Sequence, residues 1–243
     1  LMPWDAVILE DSPQRVSAKF SVRTTRTPFW IEKIVTLNSN SSILTVTDTL
    51  TNEAEEVAEA QWGQHVALGD PFLTSNCRLD MAQADHFVPA GGGNRLMDNH
   101  TGVWPNAIDP DNRNVDLTKF PSKSDRTQDY SVFKNQKEGW YAVTNPDIGI
   151  GFGLSYPVKI FQYLWYWQVF GGGSGYPWYN RTYNVGLEPF TSLGAGIPEP
   201  GSEERTSMIF KPGETKRATV RAVVFESTTG VSRITEEGLV TTL

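Results

Sequence analysis

Apolar and polar residues alternate with a period of two along much of the chain, which is typical of half-buried β-strands. Between Ile43 and Leu50 the leucines and a valine share one face and the threonines the other, and Arg217–Phe225 repeats this pattern. Further segments of this type are Val16–Val22, Ile31–Leu37, Trp140–Thr144, Ile148–Leu154 and Ser207–Phe210. Turn signals such as Asn145-Pro146-Asp147 and Lys211-Pro212-Gly213-Glu214 separate them, and 21 Gly and 15 Pro leave little room for long helices. The pattern predicts an all-β sandwich or barrel, as one domain over residues 1–243.

Three segments lack a clear alternation. Asn52–Trp62 has a cap residue, a glutamate three positions later and several alanines, which locally indicate a helix start. Strand-like segments flank it, so we expect an extended conformation there. Ala90–Asp129 and Gly171–Tyr183 show no periodicity, and each contains three consecutive glycines. Loops this long within one domain are usually functional or mobile.

The charge balance narrows the class of partner. The chain has 21 basic and 28 acidic residues, a formal charge of −7, and its Lys and Arg residues form no stripe. Nucleic acid and membrane are therefore not expected partners. The longest strongly apolar run, Phe161–Phe170, is too short to span a bilayer. No signal peptide is visible, which favours a cytoplasmic location, and the start at Leu1-Met2-Pro3-Trp4-Asp5 is typical of a sequence that begins within a domain.

Metal and cofactor sites leave no signature in this sequence. Cys77 is the single cysteine and is expected to be a small buried residue, and the histidines have no metal-ligand spacing. Glycine motifs for phosphates or dinucleotides and a serine nucleophile motif are absent from the sequence. We therefore expect no metal and no cofactor. His86 and His100 lie in polar sequence and are expected to be solvated.

His65 and Glu188 are the candidate proton-transfer residues. His65 lies in the motif Trp62-Gly63-Gln64-His65-Val66-Ala67-Leu68-Gly69, near the end of a predicted strand. Glu188 lies in Asn184-Val185-Gly186-Leu187-Glu188-Pro189, where an ionisable group interrupts an apolar strand end; burial there would raise its pKa and make it a better base. Taken alone, each residue also fits a structural role, as a sheet-rim histidine or a carboxylate that accepts backbone hydrogen bonds.

An aromatic cluster indicates ligand binding. Tyr163, Trp165 and Trp167 alternate with other residues, so one strand face carries three aromatic rings. Core packing explains some of these rings, but sugars also stack their C–H faces on such rings and offer hydroxyls to polar neighbours. The candidate binding residues are Trp165, Trp167, Gln168, Trp178 and Arg181.

Three pieces of the chain resemble the aldose 1-epimerases, or galactose mutarotase-like proteins. Leu50-Thr51-Asn52 followed by Trp62–Gly69 is similar to the family's strand that ends in a catalytic histidine. Val185–Pro189 is similar to its late strand with the catalytic glutamate, and Lys211–Glu226 to its closing turn and strand. The resemblance covers most of the chain and is closest to divergent branches. It implies a large antiparallel β-sandwich, expected here to lack some N-terminal strands.

The resemblance also implies a reaction. Glu188 would take the proton from the anomeric hydroxyl as general base, and His65 would protonate the ring oxygen as general acid. Rotation about the C1–C2 bond and reclosure would give the other anomer, with a small-molecule sugar as the partner and no cofactor. The family's hydroxyl-binding aspartate has no match, although Gln168 lies in a similar region.

Two other functions compete with this hypothesis. A non-catalytic carbohydrate-binding module on the same scaffold would keep the aromatic cluster without needing the proton-transfer pair. A glycan-cleaving enzyme, or its accessory sandwich, would need two carboxylates that flank the scissile bond, and no such pair is evident in the sequence.

Overall fold

The computed structural model describes residues 2–194 and 206–243, whose regular secondary structure consists almost entirely of β-strands. In chain order the strands are β1 (Asp5–Asp11), β2 (Arg15–Arg23), β3 (Phe29–Asn38), β4 (Ile43–Asn52), β5 (Ala58–Ala60), β6 (Ala67–Gly69), β7 (Arg78–Met81), β8 (Asp85–Val88), β9 (His100–Val103), β10 (Asn106–Ile108), β11 (Asn114–Asp116), β12 (Thr127–Lys134), β13 (Trp140–Asn145), β14 (Ile150–Ser155), β15 (Tyr163–Phe170), β16 (Tyr183–Phe190), β17 (Met208–Phe210), β18 (Thr215–Glu226), β19 (Val231–Ile234) and β20 (Val240–Thr242). A 3₁₀ helix at Lys123–Asp125 is the single helical element of the described residues.

Two antiparallel sheets form the sandwich. The larger has eight strands in the order β1-β2-β3-β4-β18-β14-β13-β7, and the smaller has six in the order β6-β16-β15-β12-β8-β9. Three two-stranded pairs, β5 with β17, β10 with β11 and β19 with β20, complete the structure. This is an all-β antiparallel sandwich, one of the two architectures that the alternation predicts and the one that the family resemblance implies.

The main core lies between the two sheets. Leu50, Leu154 and Val220 of the larger sheet belong to one buried cluster with Leu164 and Tyr166 of the smaller sheet. Every segment predicted from period-two alternation coincides with a strand, although Ile148, Gly149 and Ser207 lie outside the strands of the structure. On β18, Ala218 and Val220 are buried, as their shared face in the alternation predicts. Val224 of the same face is exposed, and its neighbour Val223 packs against the β19–β20 hairpin instead.

The segments without alternation have mixed outcomes. Residues 52–62 contain no helix: the end of β4 leads through a bend into β5, as the extended interpretation predicts. Residues 171–182 form turns and bends. Residues 90–129, expected to be a loop, contain β9, β10, β11 and the 3₁₀ helix, because strands of three or four residues are too short to show a period.

His86 corrects one prediction. It was expected to be solvated, but β8 directs it into the core, where it has no exposed surface and packs against Phe133 at 4.9 Å between ring centroids. Burial, together with the neighbouring His100 and Arg95, lowers the pKa of its imidazole to about 3. The prediction for Cys77 is confirmed, since this residue is buried. Within residues 2–194 and 206–243, no helix is long and apolar enough to cross a membrane.

Candidate functional site

Strand pairing brings His65 opposite Glu188. The segment 63–69 runs antiparallel to β16, with a bridge from Gly63 to Phe190 at one end and the β6 pairing at the other. In that register His65 faces Glu188 across the gap between the two paired stretches. Residues far apart in sequence therefore become lateral neighbours on one sheet.

The two side chains contact each other at the surface of the smaller sheet. Nε2 of His65 lies 3.5 Å from Oε1 of Glu188. The His65 side chain is 68% exposed, whereas that of Glu188 is 5% exposed. Burial raises the pKa of the Glu188 carboxyl, and the nearby His65 opposes part of that rise. The pair thus joins a buried carboxylate of increased basicity to an accessible imidazole.

Gly186 makes room for the carboxylate. A Cβ atom built on Gly186 would lie 2.2 Å from Oε1 of Glu188, closer than any real contact. The absence of a side chain two residues before Glu188, on the same strand face, allows the carboxylate to lie over the sheet. Any other residue at position 186 would displace it.

Trp165 is fixed beside the carboxylate. It lies directly across from Glu188 on β15, and its indole Nε1–H donates to the Ser192 carbonyl at 2.7 Å. One face of its ring stacks on Phe190, with 3.7 Å between centroids and an angle of 6°. Phe190 in turn lies over Gly63, where a Cβ would be 2.4 Å from the phenyl ring. This indole is consequently held by packing on one side and a hydrogen bond on its edge.

A cavity of about 600 Å³ lies above this part of the sheet. Trp167 of β15 and Trp178 of the glycine-rich loop form one aromatic wall, with 5.1 Å between their ring centroids. The residues that line the cavity are His65, Ala67, Tyr130, Trp165, Trp167, Trp178, Asn184 and Glu188. The predicted proton-transfer pair and the three predicted tryptophans therefore share one cavity.

Gln64 anchors the segment that carries His65. Its backbone N–H donates to the Pro189 carbonyl at 2.9 Å, and its side-chain Nε2 donates to Oδ2 of Asp48 at 2.6 Å. Asp48 is buried and pairs with Lys33, whose Nζ lies 2.6 Å from Oδ1. Because alternate residues of an extended segment point to opposite sides, this anchor lies on the side away from the His65 imidazole.

Gln168 and Arg181 do not line the cavity, contrary to their grouping with the tryptophans. Gln168 has no exposed surface, and its Oε1 accepts from Nη2 of Arg95 at 2.6 Å. It follows Trp167 on β15 and so points to the opposite, interior face. The Arg181 guanidinium lies over the Tyr179 ring, 5.6 Å from its centroid. The interior position of Gln168 follows from the alternation itself, because adjacent residues of a strand point to opposite faces.

Tyr130 and Asn184 are the polar cavity residues that the sequence did not identify as candidate site residues. Tyr130 lies across from Trp167 on β12, and its ring meets that of Trp165 edge-on at 6.0 Å. Burial and the Glu188 charge raise the pKa of its phenol, so it stays protonated. The pairing of β12 with β15, which the sequence does not reveal, was needed to find it.

The described residues contain no group of three or more His, Cys, Asp and Glu side chains that could hold a metal ion. What the cavity offers is one buried carboxylate, one accessible imidazole, a phenol and an amide among indole rings. Proton transfer and ring stacking are the chemistry that these groups can perform.

The fold matches solved structures at low sequence identity. A candidate aldose 1-epimerase from Klebsiella pneumoniae superposes with a TM-score of 0.63 at 13% identity, over 91% of this chain and 53% of that one. A galactose 1-epimerase from Lactobacillus acidophilus gives 0.61 at 12% identity, over 92% of this chain and 67% of that one. A TPR-domain containing protein from Parabacteroides distasonis gives 0.64 at 13% identity, over 91% of this chain and 34% of that one.

These likenesses define the fold class: the chain is a galactose mutarotase-like β-sandwich, as the sequence resemblance predicts. Residues 15–224 match the family model described as a domain of unknown function, DUF4432, and the chain belongs to that family. It spans about half and one third of the length of the Klebsiella and Parabacteroides proteins. No curated protein matches it.

Proposed function

We propose that this chain is an aldose 1-epimerase-like isomerase that interconverts the anomers of a sugar. The observation that carries the proposal is the contact of 3.5 Å between His65 Nε2 and Glu188 Oε1 beside a cavity walled by indole rings. A base and an acid this close can both reach one hemiacetal centre.

The geometry supports a division of roles. The buried Glu188 carboxylate, whose pKa is raised, accepts the proton of the anomeric hydroxyl. As the C1–O1 bond becomes a carbonyl, the C1–O5 bond breaks and the ring oxygen takes a proton from the protonated His65 imidazole, which is left neutral. Rotation about C1–C2 turns the aldehyde, and reclosure with the roles reversed forms the other anomer. Each proton-transfer group contributes about 10²–10⁴-fold to such a rate.

The surroundings of the pair fit a small-molecule sugar. Trp167 and Trp178 can stack on the C–H face of a ring, while the accessible side of His65 leaves the cavity open to solvent exchange. The site needs neither a nucleic acid nor a membrane as partner. A cytoplasmic location is the prediction from the sequence.

The test is a panel of freshly dissolved single anomers of neutral aldoses, followed to equilibrium by proton NMR with catalytic amounts of protein. We expect wild type to accelerate at least one sugar, and His65→Asn and Glu188→Gln each to lose about 10²-fold or more. Glu226→Gln, an exposed glutamate on β18, is the matched control and should retain the wild-type rate.

Three results would contradict the proposal. Sugar binding without acceleration, measured by tryptophan fluorescence, would indicate a carbohydrate-binding module. Release of a free sugar from a glycoside would indicate hydrolysis. Equal rates for wild type and both variants would show that His65 and Glu188 do not carry the reaction.

A further inference from the structure

Two polar atoms of the cavity residues have no hydrogen-bond partner in the described part of the chain. They are Oη of Tyr130 and Oδ1 of Asn184, and both are buried. Their residues line the same cavity as Glu188. Buried polar atoms of folded proteins are nearly always hydrogen-bonded, so these two are candidates for bonds to a ligand.

In the strand register, Tyr130 and Asn184 both lie to one side of the proton-transfer pair. Asn184 precedes Glu188 by four residues on β16, which places both side chains on the same face with about 13 Å between their Cα atoms. Tyr130 lies opposite Trp167, whereas Trp165 lies opposite Glu188. Tyr130 is therefore displaced from the carboxylate along the sheet in the same direction as Asn184.

The sheet surface between Glu188 and Tyr130 carries few large side chains. Ala67, Gly186 and Trp167 occupy the row of residues that continues to Tyr130. Ala67 carries only a methyl group, and the group above Gly186 is the Glu188 carboxylate itself, so a flat ring can lie against that carboxylate with the indole of Trp167 beside it. A ring whose anomeric carbon is at Glu188 would then extend toward Tyr130 and Asn184.

The charged residues that line the cavity restrict which chemical group the ligand can carry at the end remote from Glu188. The cavity lining described above contains no lysine and no arginine, and Glu188 is its carboxylate. A phosphate or carboxylate on the ligand would meet no cation there and would be repelled by Glu188. Hydroxyl groups, in contrast, can both accept from a phenol and donate to an amide oxygen.

We propose that Tyr130 and Asn184 form a hydroxyl-binding subsite for the end of an uncharged sugar remote from its anomeric carbon. Tyr130 Oη donates to one ring hydroxyl, and Asn184 Oδ1 accepts from a hydroxyl further along the ring. The subsite rests on the proposed isomerase function for its orientation, since Glu188 fixes where the anomeric carbon lies. It selects the sugar, while His65 and Glu188 perform the reaction.

A cycle between variants and substrate analogues tests the subsite. Tyr130→Phe deletes only the hydroxyl, and Asn184→Leu replaces the amide with an apolar group of similar size. Each is assayed for kcat/KM on the neutral sugar that wild type accelerates most, on its monodeoxy analogues and on its 6-phosphate. Tyr163→Phe, a tyrosine on the same face of β15 but outside the cavity lining, is the matched control.

We expect each variant to lose about 10-fold or more on the parent sugar, as expected for an unpaired buried polar group. One deoxy analogue lacks the hydroxyl that the substituted residue binds. On that analogue, the kcat/KM of the variant should equal that of wild type. The 6-phosphate should be a poorer substrate than the parent, and Tyr163→Phe should behave as wild type.

Equal losses on the parent and on every analogue would overturn the subsite, as would a 6-phosphate that is turned over as well as the parent. If wild type accelerates no sugar, the proposed isomerase function fails by itself. The same cycle measured as Kd by tryptophan fluorescence then decides the subsite, and absence of any sugar binding would overturn both. Thermal unfolding of each variant separates a lost contact from a lost fold.

Discussion

Gly186 lies directly beneath the carboxylate of Glu188, so close that a methyl group on it would lie 2.2 Å from Oε1. Gly186 and Glu188 are two residues apart on β16 and share the strand face that is directed toward the cavity. A glycine within a strand normally weakens it. The glycine at position 186 therefore leaves the space that the Glu188 carboxylate occupies. The first prediction follows from this relationship.

Gly186→Ala should disable the site without unfolding the protein. The new methyl group displaces the Glu188 carboxylate, and we expect kcat to fall about 10²-fold because proton transfer depends on sub-ångström placement. Gly194→Ala is the matched control, since nothing lies within 4 Å of the Cβ position there. Rates and thermal unfolding of both variants measure the effect. Wild-type activity in Gly186→Ala would contradict the role assigned to this glycine.

The acid limb of the pH profile should report Glu188. Its carboxyl is protonated below its pKa and cannot act as a base, and burial raises that pKa above the ordinary 4.5. The rate should therefore rise with pH through a midpoint above 4.5. The measurement is kcat/KM from pH 3.5 to 8 for wild type and Glu188→Gln. If the residual rate of the variant keeps the same limb, another group is responsible for it.

Gln64→Ala should loosen His65 while leaving sugar binding largely intact. The variant removes the 2.6 Å hydrogen bond from Gln64 to the buried Asp48, whereas the aromatic walls do not change. We expect kcat to fall about 10-fold and KM to change less than 3-fold, since the group acts by orienting the acid. Gln83→Ala, at an exposed glutamine, is the control. An unchanged kcat would show that His65 does not need this anchor.

Trp167→Ala should weaken sugar binding more than Arg181→Ala does. Trp167 lines the cavity, and loss of its ring should weaken sugar binding about 10-fold or more. Arg181 lies over Tyr179 outside the lining, so its truncation should change Kd less than about 3-fold. Fluorescence titration with the preferred sugar measures both. A larger effect at Arg181 than at Trp167 would reverse the assignment.

His86 should make the fold sensitive to acid. Its pKa is about 3 in the folded chain, whereas an ordinary histidine has 6.5, so the unfolded chain binds a proton that the folded chain does not. The free energy of unfolding should therefore fall as pH drops below 6.5, and His86 contributes about 2 kcal/mol of that loss by pH 5. Urea unfolding of wild type and His86→Gln at pH 7.5 and 5 tests this. Parallel losses in both proteins would contradict it.

Alternation was sufficient to predict the class of the fold and seven of its strands. It identified β3, β4, β13, β14, β17 and β18, whose apolar faces pack on a common core, and also β2, which lies outside that core cluster. It also placed Trp165 and Trp167 on one face of β15. The same rule places Gln168 on the opposite face, so its interior position, bonded to Arg95, was predictable from the sequence.

The remaining errors arise from pairing that the sequence does not show. Tyr130 lies in the site because β12 pairs with β15 in a register that places it opposite Trp167. Asn184, four residues before Glu188, lies there because β16 already begins at Tyr183. His86 lies in a strand of four residues with polar neighbours, too short for its inward face to be read from a period. The meeting of His65 and Glu188 was predictable only from a family resemblance, because it depends on which strands become neighbours.

The central claim is that His65 and Glu188 exchange protons with the anomeric centre of a bound sugar. Two-dimensional exchange NMR tests it directly, because it measures interconversion of the two anomers at equilibrium without any net reaction. The account predicts exchange cross-peaks between the anomeric protons with wild type and their loss with Glu188→Gln, although the variant still binds the sugar. Cross-peaks of equal intensity with both proteins, or none with wild type for any aldose that it binds, would contradict it.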